Sequence, residues 1–259
     1  MPTLYIVATP IGNLEDISMR ALRLLGEVDF ILCEDTRVTR VLLDHYNIKT
    51  GTISYHQHSG EEKIKDILDL LARGKNLALV SDAGTPGISD PGGKLVRAVL
   101  EKFGDEIHIE SVPGPSAVTA ALSISGIPTD KFIFMGFPPH KKGRQTFIRK
   151  ILQSEFPVVV YESKHRILKL LDELGKMTNE DRDKDDEIKN YEPAYRTGRL
   201  KITNNEKQNK GNPLTSVVVC RELSKMHETV YRGDLKSITE KIKADKNDQK
   251  GEFVVIIGK

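Results

Sequence analysis

Two carboxylates lie within a glycine- and proline-rich loop, and this stretch is the part of the sequence best suited to hold a ligand. The loop, Ser81–Gly93, follows an apolar run, Asn76–Val80, that predicts a buried strand, and it precedes a predicted helix, Lys94–Phe103. Glycine permits positive φ angles and close approach of a ligand, and proline stiffens the turn. Open α/β sheets bind ligands at the carboxyl ends of their strands, and long loops in compact domains are usually functional. We therefore predict a binding loop rather than an ordinary long connection.

The charges of this loop indicate the class of ligand. The loop has neither the Gly-x-x-x-x-Gly-Lys-Ser/Thr run of a P-loop nor the Gly-x-Gly-x-x-Gly of a dinucleotide site. Asp82 and Asp90 are its charged residues. Because two carboxylates repel a polyphosphate, they suit a ligand that carries ammonium, sulfonium or hydroxyl groups.

Charged clusters follow two other predicted strands. Glu34–Arg37 follow the predicted strand Asp29–Cys33, and Asp35 with Arg37 would form either a structural ion pair or the lining of a cleft. Glu162–Arg166 follow a second predicted strand and bring a carboxylate, an ammonium, an imidazole and a guanidinium together. The alternative for this second cluster is a solvated helix start.

Short apolar runs alternate with helical patterns in the first half of the chain, which predicts a mostly parallel sheet. Turn-rich or polar loops follow its strands, at Thr9–Leu14, Glu34–Arg37, Ser81–Gly93 and Pro113–Ser116. Since the carboxyl ends of parallel strands share one edge, we expect these distant loops to build one pocket. The helix after Pro113–Ser116 would offer free N–H groups to a carboxylate, and a plain capped turn is the alternative.

Local signals place several helix starts. Ser18 fits an N-cap, and Ser59 with Glu62 fits a capping box that begins a helix ending near Gly74.

The fold class predicted is α/β, with two α/β domains at residues 1–116 and 117–259. The second half has strand-like runs joined by short links, which predicts a mixed sheet. Thr178–Asn212 is charged, poor in large apolar residues and aperiodic, so we interpret it as a mobile insertion in the second domain. A local hairpin around Tyr191–Ile202 is the alternative.

Composition limits the functional classes. The chain has 259 residues and a net charge of only +2, so any nucleic-acid binding must come from a local patch. The basic run His140–Lys150 contains no acidic residue, which favours contact with RNA phosphates over a solvated face.

Cysteine and histidine usage points away from metal and disulfide chemistry. Cys33 and Cys220 lie in apolar runs and are predicted core residues, and no histidine spacing suits a metal site. The amino terminus lacks the pattern of a signal peptide, and apolar runs fall short of a membrane span. We expect a soluble, cytoplasmic protein without a bound metal.

The motifs also form a recognisable set in a fixed order. They are Thr9–Leu14, Cys33–Arg37, Ser81–Gly92, Pro113–Ala117, Gly136-Phe137 with Lys141–Arg144, Tyr161–Arg166, Arg221–Lys225 and Lys250–Phe253. Together they resemble the ribosomal RNA small-subunit methyltransferase I family of the tetrapyrrole methylase superfamily. The resemblance implies 2′-O-methylation of a cytidine of 16S ribosomal RNA in the small ribosomal subunit. It also implies a homodimer, with S-adenosylmethionine held in a cleft between the two domains.

The sequence departs from the family pattern at a few places. Ala8 stands where the family commonly has glycine, and Thr178–Asn212 is longer than usual. The sequence stops after its last predicted strand, without the C-terminal helical extension found in many members.

Carried over by position, the resemblance implies cofactor contacts from both halves of the chain. The residues are Pro10, Ser81, Asp82, Ala83, Gly84, Thr85, Ser116, Ala117, Tyr161, Leu223, Gly251 and Glu252. Asp82 is a candidate partner for the methionine ammonium or a ribose hydroxyl. Lys141, Lys142 and Arg144 are the candidate RNA contacts.

A 2′-hydroxyl must lose its proton when it accepts a methyl group, so a general base would help. The candidates are Glu34, Asp35, Glu162 and His165, with Arg37 or Lys164 placing a phosphate. The sequence does not choose among them, and a substrate phosphate or water could serve instead.

Other functions are compatible with parts of this pattern. One is a methylase acting on a tetrapyrrole carbon, which would have no use for the basic run Lys141–Lys150. The other is a non-catalytic RNA-binding assembly factor, which would have no use for the cofactor loop.

Overall fold

The structure is a computed structural model that describes the chain except residues 57–58, 91, 190–215 and 259, and the side chains of 179–189. The described residues form two compact units. One comprises Met1–Ala120 with Leu223–Met226, and the other comprises Ala121–Glu222 with His227–Lys259.

The first unit is built on a parallel sheet. Its strands are β1 (Thr3–Val7), β2 (Phe30–Cys33), β3 (Gly51–Ser54), β4 (Leu77–Leu79) and β5 (His108–Val112). Their spatial order is β3-β2-β4-β1-β5, and every neighbouring pair is parallel. The helices are α1 (Met19–Glu27), α2 (Thr36–His45), α3 (Glu61–Ala72) and α4 (Gly92–Phe103); a fifth helix, α5 (Ala117–Ser125), begins in this unit and continues into the second.

Successive side chains of these strands pack alternately into two separate apolar clusters. Ile31 packs in a cluster with Leu25 of α1 and Leu43 of α2. The next residue, Leu32, packs in a separate cluster with residues of α3 and α4, such as Leu71. Because successive strand side chains point to opposite faces, the sheet is covered by helices on both sides. This cover buries the central strand β4 completely, whereas the edge strands β3 and β5 keep exposed residues.

The second unit is built on a mixed sheet. Its strands are β6 (Ile133–Gly136), β7 (Val158–Ser163), β8 (Ser216–Arg221), β9 (Thr229–Gly233) and β10 (Glu252–Gly258). Their order is β6-β7-β10-β8-β9; β6 and β7 are parallel and the other pairs are antiparallel. Helices α6 (Arg144–Gln153), α7 (Ile167–Lys189) and α8 (Leu235–Ala244) contribute to one apolar cluster with one face of this sheet.

The predicted fold class is confirmed, since the chain forms two α/β units with a parallel and a mixed sheet. The N-cap at Ser18 is also confirmed, because its side chain accepts a hydrogen bond from the Ala21 N–H. The capping box at Ser59 is wrong. Helix α3 begins after Gly60, which makes no side-chain cap, and the Ser59 hydroxyl accepts the N–H of His56 instead.

The first part of the predicted mobile insertion, residues 178–189, belongs to a helix. Helix α7 continues to Lys189, and Thr178 is buried, with its hydroxyl donating to the Leu174 carbonyl at 2.7 Å. Glu, Lys and Arg are good helix formers, so a helix can continue through such residues without an apolar period. Residues 190–212, including the proposed hairpin, lie outside the described residues.

Helices in the described part of the chain are too short or too polar to cross a membrane.

Candidate functional site

The loops at the carboxyl edge of the parallel sheet are joined by hydrogen bonds. Thr9, after β1, and Gly84, after β4, exchange main-chain bonds of 2.9 and 3.0 Å. The Thr85 hydroxyl donates to the carbonyl of Pro115, after β5, at 3.3 Å. The Asp35 N–H, after β2, donates to a carboxylate oxygen of Asp82 at 3.1 Å. The structure therefore brings together the sequence-distant loops that were expected to build one pocket.

Hydroxyl groups at the centre of this edge hold the loop rather than face a ligand. Thr9 Oγ1 donates to the Ser81 carbonyl at 3.0 Å, and Ser81 Oγ donates to the Gly84 carbonyl at 3.1 Å. Both residues are buried. The Ser81 hydroxyl proton is therefore engaged within the loop, and a cofactor contact from Ser81 would use its main chain or its hydroxyl oxygen as an acceptor. Sequence reasoning did not single out Thr9, although its position directly after β1 was a usable signal.

Gly84 is required by the geometry of this turn. Its φ is +84°, a region that L side chains rarely adopt. Pro10 is buried, whereas Ala83 is exposed. The main chain around Ala83 is thus the part of the loop that a ligand could approach closely, whereas Gly84 is itself buried and pairs with Thr9 through its N–H and its carbonyl.

Asp90 closes the far end of the loop. Its Oδ1 accepts the N–H groups of Gly87 and Gly92, at 2.5 and 3.0 Å. An added Cβ at Gly92 would lie 2.8 Å from the Gly87 nitrogen, so this crossing depends on glycine. The expectation that Asp90 faces a ligand is therefore corrected, because its carboxylate forms the turn.

The carboxylate of Asp82 remains at the surface of the site. Asp82 is exposed, and its bond from the Asp35 N–H uses Oδ1. Ser116 and Ala117 stand at the start of α5, where the Ser116 carbonyl accepts the Ala120 N–H at 2.9 Å. An exposed carboxylate beside accessible main-chain groups and a helix N-terminus fits a ligand with ammonium, hydroxyl and carboxylate groups.

Ala8, the departure from the family pattern, packs against the loop after β5. An added Cβ at Gly114 would lie 3.0 Å from the Ala8 Cβ. The methyl group of Ala8 is therefore accommodated because residue 114 has no side chain.

Glu34 lines a small pocket of about 10 Å³ beside the loop. The lining residues are Glu34, Tyr55, Leu79, Val80, Ser81, Pro86, Asp90 and Gly92. Such a volume holds about one water molecule. Partial burial raises the pKa of the Glu34 carboxyl, and the negative charges of Asp82 and Asp90 raise it further. A carboxylate with a raised pKa beside a binding loop is suited to accept a proton.

Asp35 has the opposite environment. Arg37 Nη2 lies 2.6 Å from Asp35 Oδ2, and the Arg37 N–H donates to Oδ1 at 2.8 Å. These bonds lower the pKa of Asp35 to about 2 and make its side chain the N-cap of α2. Asp35 is therefore a weak base, and its interpretation as a general base is corrected. Arg37 is engaged in the same pair, which is the structural alternative considered from the sequence.

The second unit holds a buried cluster of charged side chains at the end of β7. Glu162 Oε1 lies 2.9 Å from Arg166 Nε, and Glu162 Oε2 lies 3.5 Å from Arg144 Nη1. Arg144 Nε pairs with Glu173 Oε2 at 2.7 Å. Glu162 and Arg144 are only 1% and 3% exposed. This burial corrects two expectations, because Glu162 is not accessible as a base and Arg144 is not accessible to RNA phosphates.

The same arginines hold the loop that follows β6. Arg166 Nη1 donates to the Pro138 carbonyl at 3.0 Å, and Arg144 Nη1 donates to the Pro139 carbonyl at 3.2 Å. His140, Lys141 and Lys142 come next in the chain and are exposed, as is His165. The cluster thus fixes the base of an exposed cationic loop. Sequence reasoning missed Glu173, which carries no motif of its own.

The remaining predicted cofactor contacts are also placed. Gly251 has a φ of +99°, and an added Cβ would lie 2.5 Å from the Glu222 side chain. Glu222 Oε1 accepts the Glu252 N–H at 2.8 Å. Leu223 is nearly fully buried and groups with the first unit. Tyr161 is half-buried on β7.

Within the described residues, no group of three or more His, Cys, Asp or Glu side chains could hold a metal ion.

Solved structures share the fold. A cobalt precorrin-4 methyltransferase aligns with a TM-score of 0.61 over 99% of this chain and 94% of its own, at 18% identity. A uroporphyrin-III-C-methyltransferase from Thermus thermophilus aligns with a TM-score of 0.57 over 99% and 94%, at 16% identity.

Sequence relatives are more similar. The model of the tetrapyrrole (corrin/porphyrin) methylases matches residues 3–239. Two proteins named ribosomal RNA small subunit methyltransferase I, from Hydrogenobaculum and Thermotoga maritima, are each 38% identical over 99% of this chain, covering 95% and 98% of their own lengths. A namesake from Escherichia coli O157:H7 is 38% identical over 98% of this chain and 77% of its own length. The chain belongs to the tetrapyrrole methylases and, within them, to the ribosomal RNA small subunit methyltransferase I family.

Proposed function

We propose that the protein transfers a methyl group from S-adenosylmethionine to the 2′-hydroxyl of a cytidine in 16S ribosomal RNA, within the small ribosomal subunit. The observation that carries this proposal is the identity to named relatives over nearly the whole chain. The enzyme would act in the cytoplasm, where its substrate is assembled, and the family resemblance supports a homodimer.

When bound, S-adenosylmethionine supplies an electrophilic methyl group on a sulfonium sulfur. We assign the Asp82 carboxylate to the methionine ammonium or a ribose hydroxyl, because it is exposed beside the glycine turn. Further main-chain contacts are proposed from the loop and helix start, at Pro10, Ser81, Ala83, Gly84, Thr85, Ser116 and Ala117. The family resemblance adds Tyr161, Leu223, Gly251 and Glu252 to this set.

Glu34 is the proposed general base for the 2′-hydroxyl. Its support is the raised pKa and its place in the pocket beside Ser81. Asp35 and Glu162 are already paired with arginines, whereas His165 is exposed on the second unit and stays an alternative. A base of this kind contributes roughly 10²–10⁴-fold to a rate.

Lys141 and Lys142 are the proposed phosphate contacts. Both are exposed, and the segment from His140 to Lys142 contains no acidic residue. Arg144 holds the loop that carries both lysines, because its guanidinium group donates a hydrogen bond to the carbonyl of Pro139.

Tritium transfer tests the proposal. Small subunits purified from cells lacking this protein would be incubated with the enzyme and tritiated S-adenosylmethionine. We expect one methyl group per subunit, recovered in 16S RNA as 2′-O-methylcytidine. Label that appears only in an added tetrapyrrole, with none in the RNA, would contradict the proposal.

A further inference from the structure

An exposed aromatic ring lies at the end of the edge strand β6, beside the cationic loop. Phe137 is 52% exposed, although it directly follows β6. Its ring centroid lies 5.3 Å from that of Tyr161 on β7, and Tyr161 lies 5.0 Å from Phe134. The three rings therefore form a row in which the outermost, Phe137, is supported from one side and open to solvent.

A local irregularity of β6 produces this row. Phe134 pairs with Val159 and Gly136 pairs with Val160, so β6 contains one more residue than β7 at this point. Phe134 and Phe137 are three residues apart and would point to opposite faces of a regular strand. The bulge, with Gly136 at a φ of +66°, puts both on the face of Tyr161. Bulges commonly redirect a side chain next to a functional site.

The surroundings of Phe137 are unusual for a stray surface residue. Single exposed apolar side chains are normal and need no explanation. Here, however, Pro138 and Pro139 follow directly, and their carbonyls are held by the guanidinium groups of the half-buried Arg166 and the buried Arg144. The ring and the cations of His140–Lys142 are thus carried on one rigid segment.

We propose that Phe137, supported by Tyr161, stacks against an unpaired base of the RNA substrate while Lys141 and Lys142 contact the neighbouring phosphates. This inference rests on the proposed function. Proteins recognise single-stranded RNA by stacking its bases on aromatic side chains beside cations that follow the backbone. A ring that already packs against Tyr161 has less side-chain freedom to lose on binding than a fully exposed one.

Fluorescence provides a direct test, because the chain contains no tryptophan. Phe137→Trp introduces a single indole at the proposed platform, and Phe156→Trp introduces one at another exposed phenylalanine of the second unit, 36% exposed. Titration with a mixed-sequence single-stranded oligoribonucleotide should quench Phe137→Trp in step with binding and leave Phe156→Trp unchanged. Bound RNA without quenching of Phe137→Trp would overturn the proposal.

Affinity for the small subunit provides the second test. Phe137→Ala should bind about tenfold more weakly, with the salt dependence unchanged because no cation is removed. Phe137→Tyr and Phe156→Ala should bind like the wild type, and melting curves confirm that all variants are folded. Unchanged affinity of Phe137→Ala, or a change in its oligomeric state in place of its RNA affinity, would overturn the proposal. Quenching by the oligoribonucleotide without methyl transfer to small subunits would instead sink the proposed function and leave the stacking site standing.

Discussion

Glu34 and Asp35 are neighbours in the chain, yet their surroundings move their pKa values in opposite directions. Asp35 accepts hydrogen bonds from the side chain and the N–H of Arg37, which hold its pKa at about 2. Burial and the charges of Asp82 and Asp90 raise the pKa of Glu34. Pairs of carboxyl groups that are separated in this way commonly take different roles in a site. Glu34 keeps the basicity that proton transfer requires, and Asp35 shapes the start of α2.

Replacement of Glu34 tests its role as a base. Glu34→Gln should lower the rate of methyl transfer about a hundredfold, with S-adenosylmethionine affinity nearly unchanged. The wild-type rate should fall as the pH drops through the raised pKa, and this acidic limb should vanish in the variant. Asp35→Asn is the matched control, since asparagine still caps the helix. Equal activity of Glu34→Gln and wild type would exclude Glu34 as the base.

The same substitution should affect stability with a defined sign. A raised pKa means that the folded state binds the proton more tightly than the unfolded state, so stability falls as the pH rises through the folded pKa. Glu34→Gln removes this loss and should melt at a higher temperature than the wild type at neutral pH. Near pH 4, close to the unfolded pKa of about 4.3, the difference should shrink. Thermal melting at the two pH values measures it, and a lower neutral melting temperature in the variant would contradict the assigned environment.

Asp82 has a structural contact as well as a proposed ligand contact, and two substitutions separate them. Asp82→Asn keeps an acceptor for the Asp35 N–H and removes the charge, whereas Asp82→Ala removes both. If the charge holds the cofactor ammonium, both variants should lose roughly tenfold in S-adenosylmethionine affinity, about 1–3 kcal/mol for a lost charged partner. Calorimetric titration compares them. Wild-type affinity in Asp82→Asn would reduce Asp82 to a turn former.

At the scale of elements, the charged cluster of Glu162 joins β7 to helices α6 and α7. Arg144 is the first residue of α6. Arg166 directly precedes α7, and Glu173 lies within α7. Removal of one partner from a buried ion pair leaves the others uncompensated. The cluster therefore couples the packing of both helices to the loop carbonyls of Pro138 and Pro139.

Glu162→Gln should lower the free energy of unfolding by about 3 kcal/mol, because two guanidinium groups lose a buried carboxylate. Asp172→Asn is the matched control on α7, since Asp172 pairs with Lys176 at the surface. Its effect should stay below about 0.5 kcal/mol. Chemical denaturation measures both variants. Equal stability of the two would mean that the buried cluster contributes no more than a surface pair.

A local signal predicted the start of α1 correctly and the start of α3 incorrectly. The N-cap at Ser18 depends on a bond to a residue three positions away, so its signal is contained in the sequence. The burial of Arg144 depends on Glu162 and Glu173, which are distant in the chain, and a basic run alone does not reveal them. One signal was available: Arg144 shares helical spacing with Ile148 and Ile151 on the buried face of α6.

The site at the strand-end loops was also predictable in one respect and unpredictable in another. The sequence indicated which loops meet, because parallel strands bring their carboxyl ends to one edge. It did not show that Asp90 accepts two main-chain N–H groups or that the Ser81 hydroxyl turns toward its own loop. Such choices depend on turn geometry that composition leaves open.

At the scale of the whole molecule, the net charge of +2 places RNA binding on local cations. Lys141→Ala with Lys142→Ala should flatten the log–log dependence of subunit affinity on salt by roughly 0.7–0.9 per lost phosphate contact. S-adenosylmethionine affinity should stay nearly unchanged. The charge-matched control is Lys236→Ala with Lys243→Ala on the exposed part of α8. An equal slope for both double variants would show that net charge, rather than this loop, sets the salt dependence.

The measurement that tests the central claim most directly is a map of ribose methylation in 16S RNA from cells with and without this protein. Alkaline hydrolysis cleaves RNA after every unmethylated ribose, so a 2′-O-methyl group leaves a gap in the cleavage pattern. We predict one gap, at a cytidine, that disappears when the protein is removed and returns with the wild type but not with Glu34→Gln. An identical pattern in both strains, or a lost modification on a base rather than on a ribose, would contradict the account.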